Sequence, residues 1–297
     1  MDGETPCGWT GYEFLASGSG LRLERWNGIV IQRPESEATW PWINPETLPA
    51  WQGYYDGLRA TGGRWQWLTP LPDPSFVRHD TLHGTLSFLI RPTASKHLGL
   101  FPEQSPNWNW IQETITSASR TTAHDKKKIN VLNLFGYTGG ATLAAAAAGA
   151  AVTHVDAARA MVAWCSENAR LSGLGSAPIR YVVEDAVKYL HREIRRGSRY
   201  DAVILDPPSF GRGKNGELWR LSDHLPSLLK AVQQVLSDTP LFILLNTYSD
   251  LINKLDQEPR FLLRNQLGGQ CETVELSLRG TLDRQDLPCG ICSRWTP

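Results

Sequence analysis

The chain has 297 residues, a length that can bury a full hydrophobic core and that favours one large domain plus a smaller one. Lysine plus arginine and aspartate plus glutamate each total 30, so the net charge of zero excludes a strongly basic protein and confines any RNA binding to a local patch. We expect a cytoplasmic protein with reduced thiols, because no apolar run reaches the roughly 18 residues of a membrane span, the N-terminus has no basic segment leading into an apolar one, and the five cysteines are an odd number.

The first part of the chain is rich in short runs of β-forming residues. The strand candidates are residues 12–16, 21–26, 29–32, 64–68 and 85–91. Asn27-Gly28, which separates two of them, is a strong hairpin signal. We therefore predict a small, mostly antiparallel β domain over residues 1–95, with a role in substrate recognition.

Tryptophan is concentrated in the same part of the chain, where nine of the 12 precede residue 111. Exposed aromatic rings can stack on unpaired bases. Large aromatic side chains more often fill the core of a small β domain, and we favour that interpretation.

From residue 129 onward, buried strands alternate with helices. The strand candidates are 129–135, 151–156, 179–184, 200–206 and 241–246, and the helix candidates are 140–148, 159–172, 186–196 and 223–236. This alternation predicts right-handed crossovers and a parallel sheet. The final runs, 272–278 and 288–295, have no helix between them and predict an antiparallel hairpin at one edge. The second predicted domain is an α/β domain over residues 96–297.

The most informative motif is the turn after the first of these strands. Val131-Leu-Asn-Leu-Phe-Gly-Tyr-Thr-Gly-Gly140 leads from a buried strand into a small-residue helix, which is where open α/β sheets bind nucleotide-like ligands. Its Gly-x-x-Gly-Gly spacing differs from the dinucleotide pattern Gly-x-Gly-x-x-Gly, and no Gly-Lys-Ser/Thr closes it as in a phosphate loop. Of the nucleotide-like ligands, a nucleoside without phosphates remains compatible with the turn. The glycines have no Cβ atoms, so their backbone can approach such a ligand closely. For this motif alone, a purely structural glycine turn is an equal alternative.

Asp156 supports the nucleoside interpretation. It follows the apolar run 151–155, where a carboxylate can accept hydrogen bonds from both hydroxyls of a ribose. S-adenosylmethionine is a ligand of this kind. Because the glycine turn, Asp156 and Asp206-Pro207-Pro208 also occur in the appropriate order, we predict a methyltransferase.

Five segments of the chain carry a family resemblance. They are Lys96-His-Leu-Gly-Leu-Phe-Pro-Glu-Gln104, Leu132-Asn-Leu-Phe-Gly-Tyr-Thr-Gly-Gly140, Val155-Asp156, Glu184-Asp185 and Asp206-Pro-Pro-Ser-Phe210. In this order they resemble the class I S-adenosylmethionine-dependent methyltransferases, specifically the bacterial large-subunit ribosomal RNA methyltransferase group. The resemblance implies a Rossmann-like α/β sheet, mostly parallel with an antiparallel C-terminal hairpin, as well as a small N-terminal β domain. It also implies S-adenosylmethionine as the cofactor and RNA, ribosomal RNA in particular, as the substrate.

The resemblance further implies roles for individual residues. The glycine turn would hold the methionine moiety, Asp156 the ribose and Asp185 the adenine amino group, although Asp185 also suits the N-cap of the next helix. Asn133 stands where methyltransferases more broadly have an acidic residue. The predicted cofactor-binding residues are Phe101, Gln104, Asn133, Phe135, Gly136, Tyr137, Thr138, Gly139, Gly140, Asp156, Ala157, Asp185, Ala186 and Asp206.

Asp206, Pro207 and Pro208 form the predicted catalytic element. The proline pair fixes the backbone and has no N–H donors, so carbonyls and the Asp206 carboxylate present a rigid set of acceptors. Such a set suits a target with an N–H group, which predicts in-line methyl transfer to a base nitrogen. Methylation of a cytosine at carbon 5 would need a cysteine nucleophile, and neither Ser209 nor the segment 244–249 provides one.

Other candidate groups do not predict a metal site. Cys289 and Cys292 form a single Cys-x-x-Cys in a predicted strand, where residues three apart face opposite sides. His79 and His83 are four residues apart, but their surroundings do not favour a helix. Methylation of a protein or a small molecule and a non-enzymatic nucleoside-binding module are the alternatives. The oligomeric state stays open, a homo-oligomer included.

Overall fold

The computed structural model describes residues 7–57, 62–121, 128–212, 218–248 and 258–297. The chain forms two compact units: residues 1–106 with 276–289, and residues 107–275 with 290–297. The first unit is therefore made from two stretches of chain that are far apart in sequence.

The first unit is built from strands. In chain order they are β1 (Trp9–Thr10), β2 (Tyr12–Gly18), β3 (Leu21–Trp26), β4 (Ile29–Pro34), β5 (Gly53–Tyr55), β6 (Trp65–Trp67), β7 (Ser75–Thr81) and β8 (Gly84–Ile90). Strands β2 to β6 form a five-stranded sheet in that order, and β1, β7 and β8 form a three-stranded sheet. The described pairings are antiparallel except for β4 with β5. The presence of a small N-terminal β domain is confirmed, whereas its predicted bounds of 1–95 and its role in substrate recognition stay predictions.

The turn between β3 and β4 has the predicted geometry. Trp26 pairs with Ile29, and the two residues between them, Asn27 and Gly28, have φ angles of 49° and 83°. Positive φ at both central residues is the requirement of a type I′ turn, whose twist matches that of the flanking strands. The Asn-Gly dipeptide therefore sets the register of this hairpin.

Charged side chains are buried inside the five-stranded sheet. Glu24 is fully buried and accepts hydrogen bonds from Arg22 and Arg33, which are themselves buried. Burial alone would raise the pKa of Glu24, but the charges of the two arginines together outweigh it and hold the pKa at about 2. Tyr12 also donates its hydroxyl to this carboxylate, at 3.1 Å. The strands β2, β3 and β4 are thus joined through side chains as well as through their backbones.

The tryptophans of this unit occupy two kinds of environment. Trp26 is fully buried, as the core-filling interpretation requires. The rings of Trp65 and Trp67 stack on each other with centroids 5.2 Å apart and are only half-buried. The core-filling interpretation therefore holds for Trp26 and only in part for the stacked pair.

The second unit contains helices and a large sheet. Its elements are α1 (Ser105–Thr121), β9 (Asn130–Leu134), α2 (Gly140–Ala147), β10 (Ala151–Asp156), α3 (Arg159–Leu171), β11 (Ile179–Val183), α4 (Ala186–Arg196), β12 (Ala202–Leu205), β13 (Phe210–Arg212), β14 (Leu218–Arg220), α5 (Leu221–Gln233), β15 (Phe242–Thr247), α6 (Pro259–Leu267), β16 (Gln270–Arg279) and β17 (Asp286–Thr296). Helix α1 begins two residues before the unit boundary, and β16 and β17 continue into the first unit.

The large sheet has seven strands in the order β11-β10-β9-β12-β15-β17-β16. The pairings from β11 to β15 are parallel, and β17 runs antiparallel to β15. These findings confirm the predicted mostly parallel sheet and the C-terminal hairpin at its edge. The hydrophobic core includes Leu134, Leu205 and Leu245 from adjacent strands, packed with residues of α4 and α5.

Sequence patterns missed two helices and a hairpin in this unit. Helix α1 buries Trp108, Ile111 and Ile115, a spacing of three and four residues that predicts a helix, but its many Asn, Ser and Thr residues have low helix propensity. Helix α6 and the β13–β14 hairpin are short and carry little periodicity. Within the described residues, no helix combines the length and the apolar character that crossing a bilayer requires.

Candidate active site

The candidate active site lies at the carboxyl ends of the central strands. From β9 the chain crosses to β10 on one side, and on the other side β9 pairs with β12. Leu134 at the end of β9 is level with Val155 and Leu205, so the residues that follow these strands meet at one edge. A reversal of strand order of this kind opens the crevice in which open α/β sheets bind ligands.

The turn between β9 and α2 has an unusual backbone. Phe135, Tyr137 and Gly139 have φ angles of 60°, 49° and 95°. A non-glycine residue in the left-handed region costs about 1 kcal/mol or more and persists only where its surroundings hold it. The amide of Gly136 donates to the Val155 carbonyl at 3.0 Å, and the amide of Gly139 donates to the Gly136 carbonyl at 3.0 Å.

The three glycines of the turn are required by the protein beneath them. A Cβ atom on Gly136 would overlap the ring of His154, one on Gly139 would overlap the sulfur of Cys165, and one on Gly140 would overlap the ring of Trp108. This packing role is additional to the close approach of a ligand predicted from the sequence, and that approach stays a prediction. The glycine spacing is thus set in part by side chains of α1, β10 and α3 that pack beneath the turn.

A buried polar network supports the turn from below. Asn133 donates its amide to Thr142 at 2.8 Å, and the Thr142 hydroxyl lies 2.9 Å from Nδ1 of His154. The Cys165 sulfur is 3.7 Å from the same nitrogen. Burial lowers the pKa of His154 to about 4, so the ring is neutral at physiological pH. His154 is not among the predicted site residues. The sequence feature that could have indicated it is a single polar residue inside an otherwise apolar strand.

Asp156 is bound to the turn by both of its carboxylate oxygens. Oδ2 accepts the amide of Tyr137 at 2.9 Å, and Oδ1 accepts the amide of Ala158 at 2.8 Å. Burial raises the pKa of Asp156, and the two amide hydrogen bonds oppose this shift. Each carboxylate oxygen can accept a second hydrogen bond, so the group can still receive donors from a ligand.

The remaining residues of the turn and the next strand end are also placed by specific contacts. Thr138 is buried, and its carbonyl accepts a hydrogen bond from the side-chain amide of Asn168 at 2.9 Å. Asp185 is exposed at the N-cap of α4 and accepts the amide of Lys188 at 2.9 Å. The N-cap role of Asp185 is confirmed, and its contact with adenine stays a prediction.

Asp206 meets a partner from the neighbouring strand. The hydroxyl of Tyr248 donates to Oδ1 of Asp206 at 2.8 Å. Tyr248 follows β15, and Leu205 is level with Leu245, so both residues leave the sheet at the same edge. Tyr248 is not among the predicted site residues, although residues that follow neighbouring parallel strands converge at one edge of the sheet, which predicts the contact.

The carbonyl of Pro208 already has a donor. The indole nitrogen of Trp219 donates to it at 2.8 Å, and the Trp219 ring lies 5.9 Å from that of Phe135. The sequence predicts that the carbonyls after Asp206 are acceptors for a substrate. The Pro208 carbonyl retains a second lone pair, so its part as an acceptor for a substrate stays a prediction.

The other predicted residues lie in different surroundings. Ala157 is exposed, and Ala186 is buried at the start of α4. Phe101 and Gln104 belong to the first unit, where the Phe101 ring packs 5.0 Å from that of His97. Their part in cofactor binding stays a prediction, as does that of Asn133, whose amide bonds to Thr142. Across the described ranges, no cluster of three or more His, Cys, Asp or Glu side chains is arranged to hold a metal ion.

Comparison with known proteins supplies the family. A family model described as S-adenosylmethionine-dependent methyltransferase matches residues 65–240, more than half of the chain. The chain belongs to this family. It is a methyltransferase that uses S-adenosylmethionine, and the predicted enzyme class and cofactor are confirmed.

Individual relatives of the methyltransferase agree with this assignment. The crystal structure of the S-adenosylmethionine-dependent methyltransferase from Agrobacterium tumefaciens is 36% identical, with a TM-score of 0.83, over 100% of this chain and 97% of that one. Ribosomal RNA large subunit methyltransferase K/L from Syntrophotalea carbinolica is 30% identical over 65% of this chain and 25% of its own length. Ribosomal RNA large subunit methyltransferase K from Neisseria meningitidis is 33% identical over 43% of this chain and 37% of its own length. The methyltransferase thus matches only a minor part of each of these two curated relatives.

Proposed function

We propose that this methyltransferase modifies RNA, and ribosomal RNA in particular, at a nitrogen atom of a base. The single observation that carries the chemistry is the Asp206 carboxylate, which stands at the strand reversal with Tyr248 donating to one of its oxygens. The ribosomal RNA substrate is supported by the names of the curated relatives. Because the matched region is a minor part of those relatives, the assignment of their substrate to this chain is part of the proposal.

The turn and Asp156 suit the cofactor. S-adenosylmethionine when bound supplies an electrophilic methyl group on a sulfonium. Asp156 would accept hydrogen bonds from the ribose hydroxyls, and the turn from Phe135 to Gly140 would hold the methionine part. Asp156 fits this task because its carboxylate is fixed by two amides and retains acceptor capacity.

Asp206 aligns the target nitrogen. Its carboxylate accepts a hydrogen bond from the N–H of the base, which directs the nitrogen lone pair toward the methyl group. With the cofactor bound, methyl transfer would form the N–C bond as the S–C bond breaks, and Asp206 would receive the nitrogen proton along this hydrogen bond. The donor is already activated, so alignment is the main contribution that the protein can make, and up to about 7–11 kcal/mol is available from it. Pro207 and Pro208 restrict the backbone after Asp206.

Cys292 does not suit the alternative chemistry on a carbon atom. Cys292 lies on β17 opposite Asn246 and is fully buried. Burial raises the pKa of its thiol to about 12, against the opposing effect of Arg294, so a thiolate is disfavoured at physiological pH. A nucleophilic attack by Cys292 on a base is therefore not supported.

Removal of the gene tests the substrate. We expect ribosomal RNA from a strain without the protein to lack one N-methylated nucleoside, as measured by mass spectrometry of nucleosides from wild type and mutant. The wild-type gene restores this nucleoside, and a gene carrying Asp206→Asn serves as the matched control that does not. Unchanged RNA modification would contradict the RNA substrate. Loss of a carbon-methylated nucleoside, or a covalent adduct with RNA containing 5-fluorocytosine, would contradict the nitrogen target.

The pH dependence of cofactor binding tests Asp156. The ribose hydroxyls donate to the ionised carboxylate, so the affinity should be highest above the raised pKa of Asp156 and fall as the pH is lowered through it. Asp156→Asn should weaken binding by about 1.5–3 kcal/mol at neutral pH and remove that fall. Titration calorimetry across this range measures both effects, with Asp223→Asn, an exposed carboxylate on α5, as the control. An Asp156→Asn protein with wild-type affinity would exclude Asp156 from the site.

A further inference from the structure

The β13–β14 hairpin begins directly after the proposed catalytic element. Phe210 is the second residue after Pro208, and it pairs with Arg220 across the hairpin. The amide of Leu221 donates to the Ser209 carbonyl at 3.1 Å, which closes the base of the hairpin. The position of its strands is therefore tied to that of Asp206.

One face of the hairpin is anchored to the candidate site. Trp219, opposite Gly211, donates its indole N–H to the Pro208 carbonyl and packs on Phe135 of the cofactor turn. The Trp219 ring also stacks on His224, with centroids 4.8 Å apart. This face is thus fixed to both halves of the candidate site.

The opposite face is exposed and carries a different set of side chains. Because side chains alternate along a strand, Phe210, Leu218 and Arg220 lie on the face away from Trp219. Phe210 is 56% exposed and Leu218 is 42% exposed, and Arg220 is exposed as well. An aromatic ring directly across the ladder from a guanidinium combines a stacking surface with a positive charge.

We propose that this face of the hairpin, formed by Phe210, Leu218 and Arg220, binds a single-stranded segment of the RNA next to the target base. Phe210 stacks on an unpaired base, and the Arg220 guanidinium pairs with a phosphate. The inference rests on the proposed RNA substrate. Charge complementarity between Arg220 and a phosphate, with the exposed Phe210 ring paired across from Arg220 as a stacking surface, favours RNA as the occupant of this face.

Fluorescence anisotropy with a fluorescein-labelled single-stranded RNA of mixed sequence tests the proposal. Phe210→Ala should weaken binding at least about fivefold, the scale of one lost base stack. Arg220→Ala should reduce the slope of log affinity against log salt concentration by about 0.7, the value for one phosphate contact on a single strand. In both variants, the affinity for S-adenosylmethionine should remain that of the wild type.

Arg170 and Leu171 provide a matched control. Both are exposed, and they end helix α3, which leads away from the carboxyl edge of the sheet. The double change Arg170→Ala and Leu171→Ala removes one positive charge and one exposed apolar side chain, and it should leave RNA binding unchanged. The corresponding double change at Phe210 and Arg220 should weaken it by about the product of the two single effects.

The outcomes separate the two proposals. If the wild type binds and methylates RNA but the hairpin variants bind as tightly as it does, the hairpin inference is overturned and the proposed function stands. The hairpin inference is also overturned if the hairpin changes and the control changes weaken RNA binding equally. If the wild type neither binds RNA nor methylates RNA from the deletion strain, the proposed function fails and the hairpin inference fails with it.

Discussion

Asp206→Asn is expected to lower the rate of methyl transfer by about 100-fold or more while leaving the affinity for S-adenosylmethionine within about threefold of the wild type. Asparagine keeps the shape of the side chain but replaces one acceptor oxygen by a donor nitrogen, so it cannot hold an N–H of the base in the same way. The lost interaction acts mainly in the transition state, which is why turnover falls more than binding. Single-turnover rates at saturating cofactor, combined with calorimetry, measure the two quantities separately.

Tyr248→Phe gives the experiment a graded comparison. It removes the hydroxyl that donates to Oδ1 of Asp206 and keeps the carboxylate, so we expect a smaller loss of rate, about tenfold, from poorer alignment. Asp223→Asn on α5 should have no effect on the rate. Equal losses of rate and of cofactor affinity in Asp206→Asn would instead assign Asp206 to cofactor binding.

Gly136→Ala is expected to destabilise the second unit by about 1–3 kcal/mol and to weaken cofactor binding, because the new methyl group would overlap the His154 ring. The backbone of the turn and the buried ring cannot both keep their positions. Gly175→Ala is the matched control, since a Cβ there meets only ordinary contacts with Arg170, and its effect should stay within about 0.5 kcal/mol. Urea unfolding gives the free energies.

A double-mutant cycle shows whether packing is the cause. His154→Ala is destabilising in itself because it empties a buried site, but it also removes the group that Gly136→Ala would strike. In the His154→Ala background, Gly136→Ala should therefore cost at least about 1 kcal/mol less than in the wild type. Strict additivity of the two changes would contradict the packing explanation of this glycine.

The sequence predicted the α/β sheet well because its signals are local. Each of the strands β9, β10, β12 and β15 is a short apolar run, and the turn after β9 is marked by Gly136, Gly139 and Gly140. These patterns depend on burial and on backbone geometry, which act within a few residues. The same applies to the Asn27-Gly28 turn in the first unit.

Contacts between distant segments could not be predicted in this way. The hydrogen bond from Tyr248 to Asp206 joins residues 42 positions apart, and the side-chain hydrogen bond from Asn133 to Thr142 joins β9 to α2. Charged residues that alternate with apolar ones in a strand, as Arg22 and Glu24 do, are expected to be exposed. In the structure both are buried, together with Arg33. Which polar residue meets which depends on strand order and register, and a single sequence does not contain that information in local form.

The division of the first unit between two stretches of chain has a consequence for biosynthesis. Residues 276–289 return to strand β2, where Thr281 and Leu282 donate their amides to Phe14 and Leu15, and Asp283 accepts the amide of Ser17 at 2.8 Å. Domains commonly fold one after another as the ribosome releases them, starting from the N-terminus. Here the first stretch lacks these hydrogen-bonding partners until residues 276–289 have been synthesised. The N-terminal unit of this chain is therefore begun first but can be completed only after nearly all of the second unit has been synthesised.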